Sequence, residues 1–129
     1  MKAVMVDEWK ARPDRPGVVP LLHVQFSEQL ARLKLETTWS TSRRNAITLS
    51  QEPTLRLVLM LLGKGITMPA HQAAGPLTLH VLSGAVAFRA AGGTVEIGAG
   101  ELVALEGAIE HEVEALEESA CLLTLASAY

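Results

Sequence analysis

From Ala46 onward the chain is a succession of short, mostly apolar runs separated by turn residues, with no helical period, and this pattern predicts the strands of an all-β sandwich or barrel. The runs cover residues 46–50, 54–62, 66–69, 77–83, 85–90, 94–97, 102–105, 109–115 and 120–126. The breaks fall at Glu52-Pro53, Gly63-Lys64-Gly65, Gly75-Pro76, Gly84, Gly92-Gly93 and Gly98-Ala99-Gly100, where glycine supplies positive φ and proline removes a ladder donor. Two runs reveal their faces. In residues 109–115 strict alternation places Glu110, Glu112 and Glu114 on one side and Ile109, His111, Val113 and Ala115 on the other, so glutamates in water put His111 inside. In residues 54–62, Leu55, Leu57, Leu59 and Leu61 form one face, while Val58, Met60 and Leu62 keep the opposite face apolar as well. A strand greasy on both sides has to be covered twice, by the N-terminal segment or by a second copy of the chain.

Before Ala46 the pattern changes twice. Pro13, Pro16, Gly17 and Pro20 predict an extended arm. Phe26, Leu30 and Leu33 then fall at i, i+4 and i+7, which predicts a short helix with Ser27 as its cap. Trp39 to Asn45 is polar and turn-like, and Arg43-Arg44 within it reads as a solvated pair in preference to an anion site. The chain is expected to divide into an N-terminal arm and short helix, residues 1–45, packed on a barrel formed by residues 46–129.

Composition narrows the partners. With 129 residues, 49% of them hydrophobic and 19% charged, the chain has the size of one domain and none of the character of a disordered one. Its longest apolar stretch, Leu57 to Leu62, falls far short of the ~20 residues of a membrane helix. Asp7 and Glu8 stand where a signal peptide would have its apolar core, so a cytoplasmic location and no membrane partner are expected. Net charge is −3, with ten of the eleven Lys and Arg residues in 1–64. Those cations are scattered among acids without an aromatic platform, so no nucleic-acid partner is expected. The charge asymmetry and the doubly apolar strand point instead to a homodimer. Cys121, the single cysteine, lies in the apolar run Cys121-Leu122-Leu123 and is read as a buried structural thiol.

Two spaced segments carry the candidate chemistry: Gly65-ITMPA-His71-Gln72-Ala73-AGP-Leu77-TLHVLS-Gly84 and Gly100-ELVAL-Glu106-Gly107-Ala108-IE-His111-EVE-Ala115. In spacing they resemble the first and second motifs of the cupins, the second with Glu106, Ala108 and Ala115 in place of its Pro, Gly and Asn. The match spans roughly residues 46–126 and includes a Leu55-Arg56-Leu57-Val58-Leu59 strand similar to one in small single-domain cupins. The resemblance implies an RmlC-like, cupin-type antiparallel β-barrel, or jelly roll, with metal-ligand positions at His71 and His111. It finds Ala73 and Leu77 where a second His and a Glu would stand, hence a degenerate metal site.

Alanine and leucine donate nothing, and two imidazoles fall short of the three or four protein ligands of ordinary divalent sites. A divalent metal is therefore expected to be substoichiometric or absent. His80 would complete a three-histidine set only if a bulge shifted the register, since parity groups it with Thr78 and Leu82, away from Leu77, Leu79 and Val81. The expected ligand is a small molecule held by His71, His111, Leu77 and Leu79 in an apolar cavity, and the expected role is non-catalytic or regulatory. The alternative is a metal-dependent oxygenase or isomerase using His71, His111 and His80. Whether the protein is an enzyme stays open at this point, and no catalytic residue is named. The metal-free epimerases of the same family rely on a His–Asp pair and a Tyr acid, an arrangement not evident in a chain whose aspartates are Asp7 and Asp14 and whose sole tyrosine is Tyr129.

Overall fold

A computed structural model describes residues 21–71 and 73–126, and the expected extended arm falls almost wholly outside them. Two short helices, α1 (Phe26–Leu35) and α2 (Thr37–Ser42), precede nine strands. These are β1 (Arg44–Gln51), β2 (Leu55–Leu62), β3 (Thr67–His71), β4 (Leu77–Ser83), β5 (Ala85–Ala90), β6 (Gly93–Gly98), β7 (Leu102–Leu105), β8 (His111–Ala115) and β9 (Ser119–Ala126). The strands form two antiparallel sheets, ordered β1-β2-β9-β4-β7 and β3-β8-β5-β6. The architecture is all-β, as the alternation and turn residues predict.

The inner faces of the sheets share one core. Val58, Met60, Leu62, Leu77, Leu79, Val81 and Cys121 of the five-stranded sheet meet Val86, Phe88, Ile97, Val113 and Ala115 of the other. A large apolar side chain taken fully out of water there contributes roughly 1.5–3 kcal/mol.

The second apolar face of β2 finds its cover within the chain. Leu59 and Leu61 pack with Leu33, Trp39, Leu49 and Ala120, and Leu22, Val24, Phe26 and Leu30 close over them. The helix expected at Phe26 is α1, with Glu28 in its first turn and Arg32 and Lys34 in its last, charges that suit the helix dipole. Its N-cap is Gln25, which makes no side-chain cap bond, and Ser27 lies inside the first turn.

Helix α2 replaces the turn expected from Trp39 on. Its hydroxyls bond back to the preceding turn: Ser40 Oγ and Thr41 Oγ1 donate to the Thr37 carbonyl, each at 3.0 Å, and Ser42 Oγ donates to the Thr38 carbonyl at 2.7 Å. Trp39, 5% exposed, anchors the helix in the outer cluster. Arg43 ends it in the left-handed region at φ 58°, its guanidinium 5.2 Å from the Trp39 ring centroid. Asn45 Nδ2 then ties β1 to the helices, donating to the Leu33 carbonyl at 3.0 Å and to Glu36 Oε1 at 2.8 Å.

One turn demands its glycine. Gly84 has φ 86°, and a Cβ there would collide with the Glu118 carbonyl and with Ser119 Oγ. That hydroxyl is buried and committed, accepting from the Ala85 N–H at 3.0 Å and lying 2.7 Å from the Glu117 carbonyl.

Candidate functional site

The second motif delivers His111 as the first residue of β8. Alternation along the strand buries His111, Val113 and Ala115 and leaves Glu112 and Glu114 half-buried on the other face. Those glutamates engage Arg89 of β5, with Nη1 to Glu112 Oε1 at 3.0 Å and Nη2 to Glu114 Oε1 at 2.6 Å. Glu114 first, then Glu112, favours the charged guanidinium and raises the Arg89 pKa above its ordinary value.

His111 is 3% exposed. Its ring stacks on Phe88, with centroids 5.7 Å apart and planes 8° from parallel. Its Nδ1 lies 3.1 Å from the Ile109 carbonyl. A carbonyl only accepts, so this contact is a hydrogen bond when Nδ1 carries the proton, and the neutral ring then has Nε2 as its acceptor. The backbone of His71 lies directly opposite that of His111 in the β3–β8 ladder, after a register shift beyond Met68. On its other side His111 pairs with Ala90. The two motif histidines thus occupy adjacent backbone positions.

The remaining predicted positions divide. Ala73 packs against the inner core. Leu77 and Leu79 are 3% and 1% exposed and belong to that core. The cavity of about 570 Å³ that His111 lines, with Ala90, Gly92, Thr94, Ile109 and Glu110 among its walls, includes neither leucine. His80 alternates with Leu79 and Val81, and its neighbour in parity, Leu82, packs in the outer cluster under the helices. It therefore lies on the face opposite Leu77 and Leu79, where strand parity puts it, and is not brought to His111. Cys121 is fully buried, and burial pushes its thiol up to about 12.

Ala73 and Leu77 hold the other ligand positions of the motif without a donor atom, and among the described residues no group of three His, Cys, Asp or Glu converges on a point.

Sequence reasoning missed how the two motif loops join. The Ala108 N–H donates to the Ala73 carbonyl at 2.9 Å. A Cβ on Gly107 would stand 2.8 Å from the carbonyl carbon of Gly75, so backbone meets backbone there. It also missed the aromatic support of His111, although Phe88 lies on the same face one diagonal away once β5 is paired with β8.

No family model matches the sequence, and no curated protein matches it. Solved structures do. A protein of unknown function from Streptococcus pyogenes superposes with a TM-score of 0.65 at 22% identity, covering 74% of this chain and 87% of its own. A cupin 2 conserved barrel domain protein from Leptotrichia buccalis gives 0.64 at 27% identity, over 67% of this chain and 42% of its own. Salicylate 1,2-dioxygenase from Pseudoaminobacter salicylatoxidans reaches 0.74 at 15% identity, over 84% of this chain but 34% of the dioxygenase. A cupin superfamily protein from Desulfitobacterium hafniense and an RmlC-like cupin from Shewanella frigidimarina match as well, with TM-scores of 0.64 and 0.62. With its two antiparallel sheets and the motif histidines paired in register, the chain has the fold of these cupin neighbours.

Proposed function

We propose that the protein is a small-molecule-binding cupin with a non-catalytic or regulatory role, whose binding centre is the His111 end of β8. The observation that carries this reading is that His111, a buried residue whose ring is fixed by the Phe88 stack and the Ile109 carbonyl, borders a cavity of about 570 Å³ that Arg89, Glu110 and Glu112 also line. Such a volume falls in the range of small-molecule sites. An imidazole brings a hydrogen-bonding group to which a polar end of a small molecule could be matched. Ala73 and Leu77 withdraw the donors that metal-dependent chemistry would need, which favours binding over turnover.

The register that sets His71 opposite His111 favours one further reading, a metal-dependent oxygenase or isomerase on a histidine pair. One experiment separates the two. Tag-free protein is dialysed against chelator, analysed for transition metals, and titrated with acetate, acetamide and inorganic phosphate while the imidazole ¹⁵N resonances are followed. The binding reading expects less than one equivalent of metal and a probe-dependent shift at His111 that His111→Ala removes. A tightly held, stoichiometric ion lost in both His71→Ala and His111→Ala would overturn it in favour of the enzyme.

A further inference from the structure

The arginine pair at the start of β1 is split by the fold. Arg43 turns onto the Trp39 ring, while Arg44, the first residue of β1, stands opposite Leu62 of β2. Directly opposed residues of an antiparallel pair share a face, so Arg44 lies on the inner side with Leu62, and Ala46 with Met60. The ion pairs among the described residues engage Lys34 and Arg89, not Arg44. Arg44 lines a second cavity, of about 530 Å³, together with Thr38, Met60, Leu62, Met68 and Pro69. Among the described residues no acidic side chain lines it, and His111 is not part of it.

We propose that this cavity, between α2, β1, β2 and β3, is a separate binding site for a small monocarboxylic acid with an apolar tail. The cation selects the charge of the ligand: a guanidinium presents a planar fork of donors that fits a carboxylate. The rest of the wall selects the tail. Met60, Leu62, Met68 and Pro69 offer it apolar surface, and unbranched methionine side chains adapt to its shape. The volume suits a small molecule.

Octanoate is the probe, added to the full chain while the Met60 and Met68 methyl resonances are followed. Saturable shifts of both are expected. Arg44→Gln should weaken binding at least about tenfold, the lower bound for a lost charge-assisted hydrogen bond. Neutral octanamide should bind the wild type as weakly as octanoate binds that variant. Ala46→Trp, a change at an exposed strand position on the cavity wall, should abolish the shifts without lowering the melting temperature. His111→Ala should leave them unchanged, so failure here and failure of the His111 reading are told apart. Unperturbed methionines in the wild type, equal binding by Arg44→Gln, or loss of binding only in His111→Ala would each overturn the proposal. So would a dimer that Ala46→Trp converts to monomer with no octanoate bound, since the occupant would then be a second copy.

Discussion

Ala108 stands where the second cupin motif has its glycine, and its φ of 64° lies in the left-handed region. Holding an L-residue there costs roughly 1–2 kcal/mol through the clash of Cβ with the carbonyl. Ala108→Gly removes that clash but gives the unfolded chain back some freedom, a cost of roughly 0.4–1 kcal/mol. Little else changes. Ala108 is exposed, so its methyl buries little, and glycine keeps the N–H that donates to the Ala73 carbonyl at 2.9 Å. The difference leaves a net stabilisation of about 0.5–1 kcal/mol. For a chain of 129 residues this is a rise of about 2–4 °C in melting temperature. The assay is urea and thermal unfolding by circular dichroism, with Ala99→Gly as control. Ala99 is equally exposed and outside the left-handed region, so glycine there brings only the entropic cost and should destabilise by roughly 0.4–1 kcal/mol. Equal losses in the two variants would refute the argument, because the sign must differ if the backbone at residue 108 is the cause.

Gly84→Ala should lose about 3 kcal/mol or more, left-handed strain adding to a collision with the Glu118 carbonyl; a melting temperature within two or three degrees of wild type would count against the geometry of the β4–β5 turn. Trp39→Ala should cost about 3–5 kcal/mol and speed amide exchange at Leu59 and Leu61, which the tryptophan helps to cover; slow exchange there would mean that α2 is not their shield. Cys121 gives a pH test. Its native thiol keeps its proton up to about 12, while in the unfolded chain it ionises from about 9, so the unfolded state binds fewer protons and stability falls as pH rises through that window. The urea midpoint of wild type relative to Cys121→Ala should therefore drop between pH 8 and 10.5, and a constant difference would refute the assignment.

Where the side-chain period is two and one face is buried, the sequence was readable to the residue. His111 could be placed inside because three glutamates flank it in alternation, and His80 outside because Leu77, Leu79 and Val81 claim the other parity. The helix α2 was not readable. Thr37-Thr38-Trp39-Ser40-Thr41-Ser42 has no apolar period, and what anchors it is the burial of one indole against the β1–β2 surface beneath it. Alternation also could not separate an inward residue that walls a cavity from one that fills the core. Leu77 and Leu79 point inward as expected, yet whether space remains beside them depends on the summed volumes of Phe88, Val113 and other partners distant in sequence. Arg44 was hidden by a boundary. Starting the strand at Ala46 left Arg44 in a turn without parity, while two more residues of ladder put it on the inner face opposite Leu62.

The replacements at Ala73 and Leu77 do more than delete ligands. Leu77, which carries no donor atom, packs in the inner core. The first and second motifs, which coordination to one ion would otherwise bind together, are joined through Ala108 N–H to the Ala73 carbonyl and through the close approach of Gly107 to Gly75. Packing and backbone contact do there what ligation could have done, and they do it without a donor atom. Two polar side chains on inner-face positions stand at strand starts, His111 opening β8 and Arg44 opening β1. Each borders a cavity, of about 570 Å³ for His111, with the Arg89–Glu112 pair also on its wall, and of about 530 Å³ for Arg44. Arg44, exposed at the start of β1, leaves its charge in contact with water, while His111, buried at the start of β8, is held by the Phe88 stack and the Ile109 carbonyl.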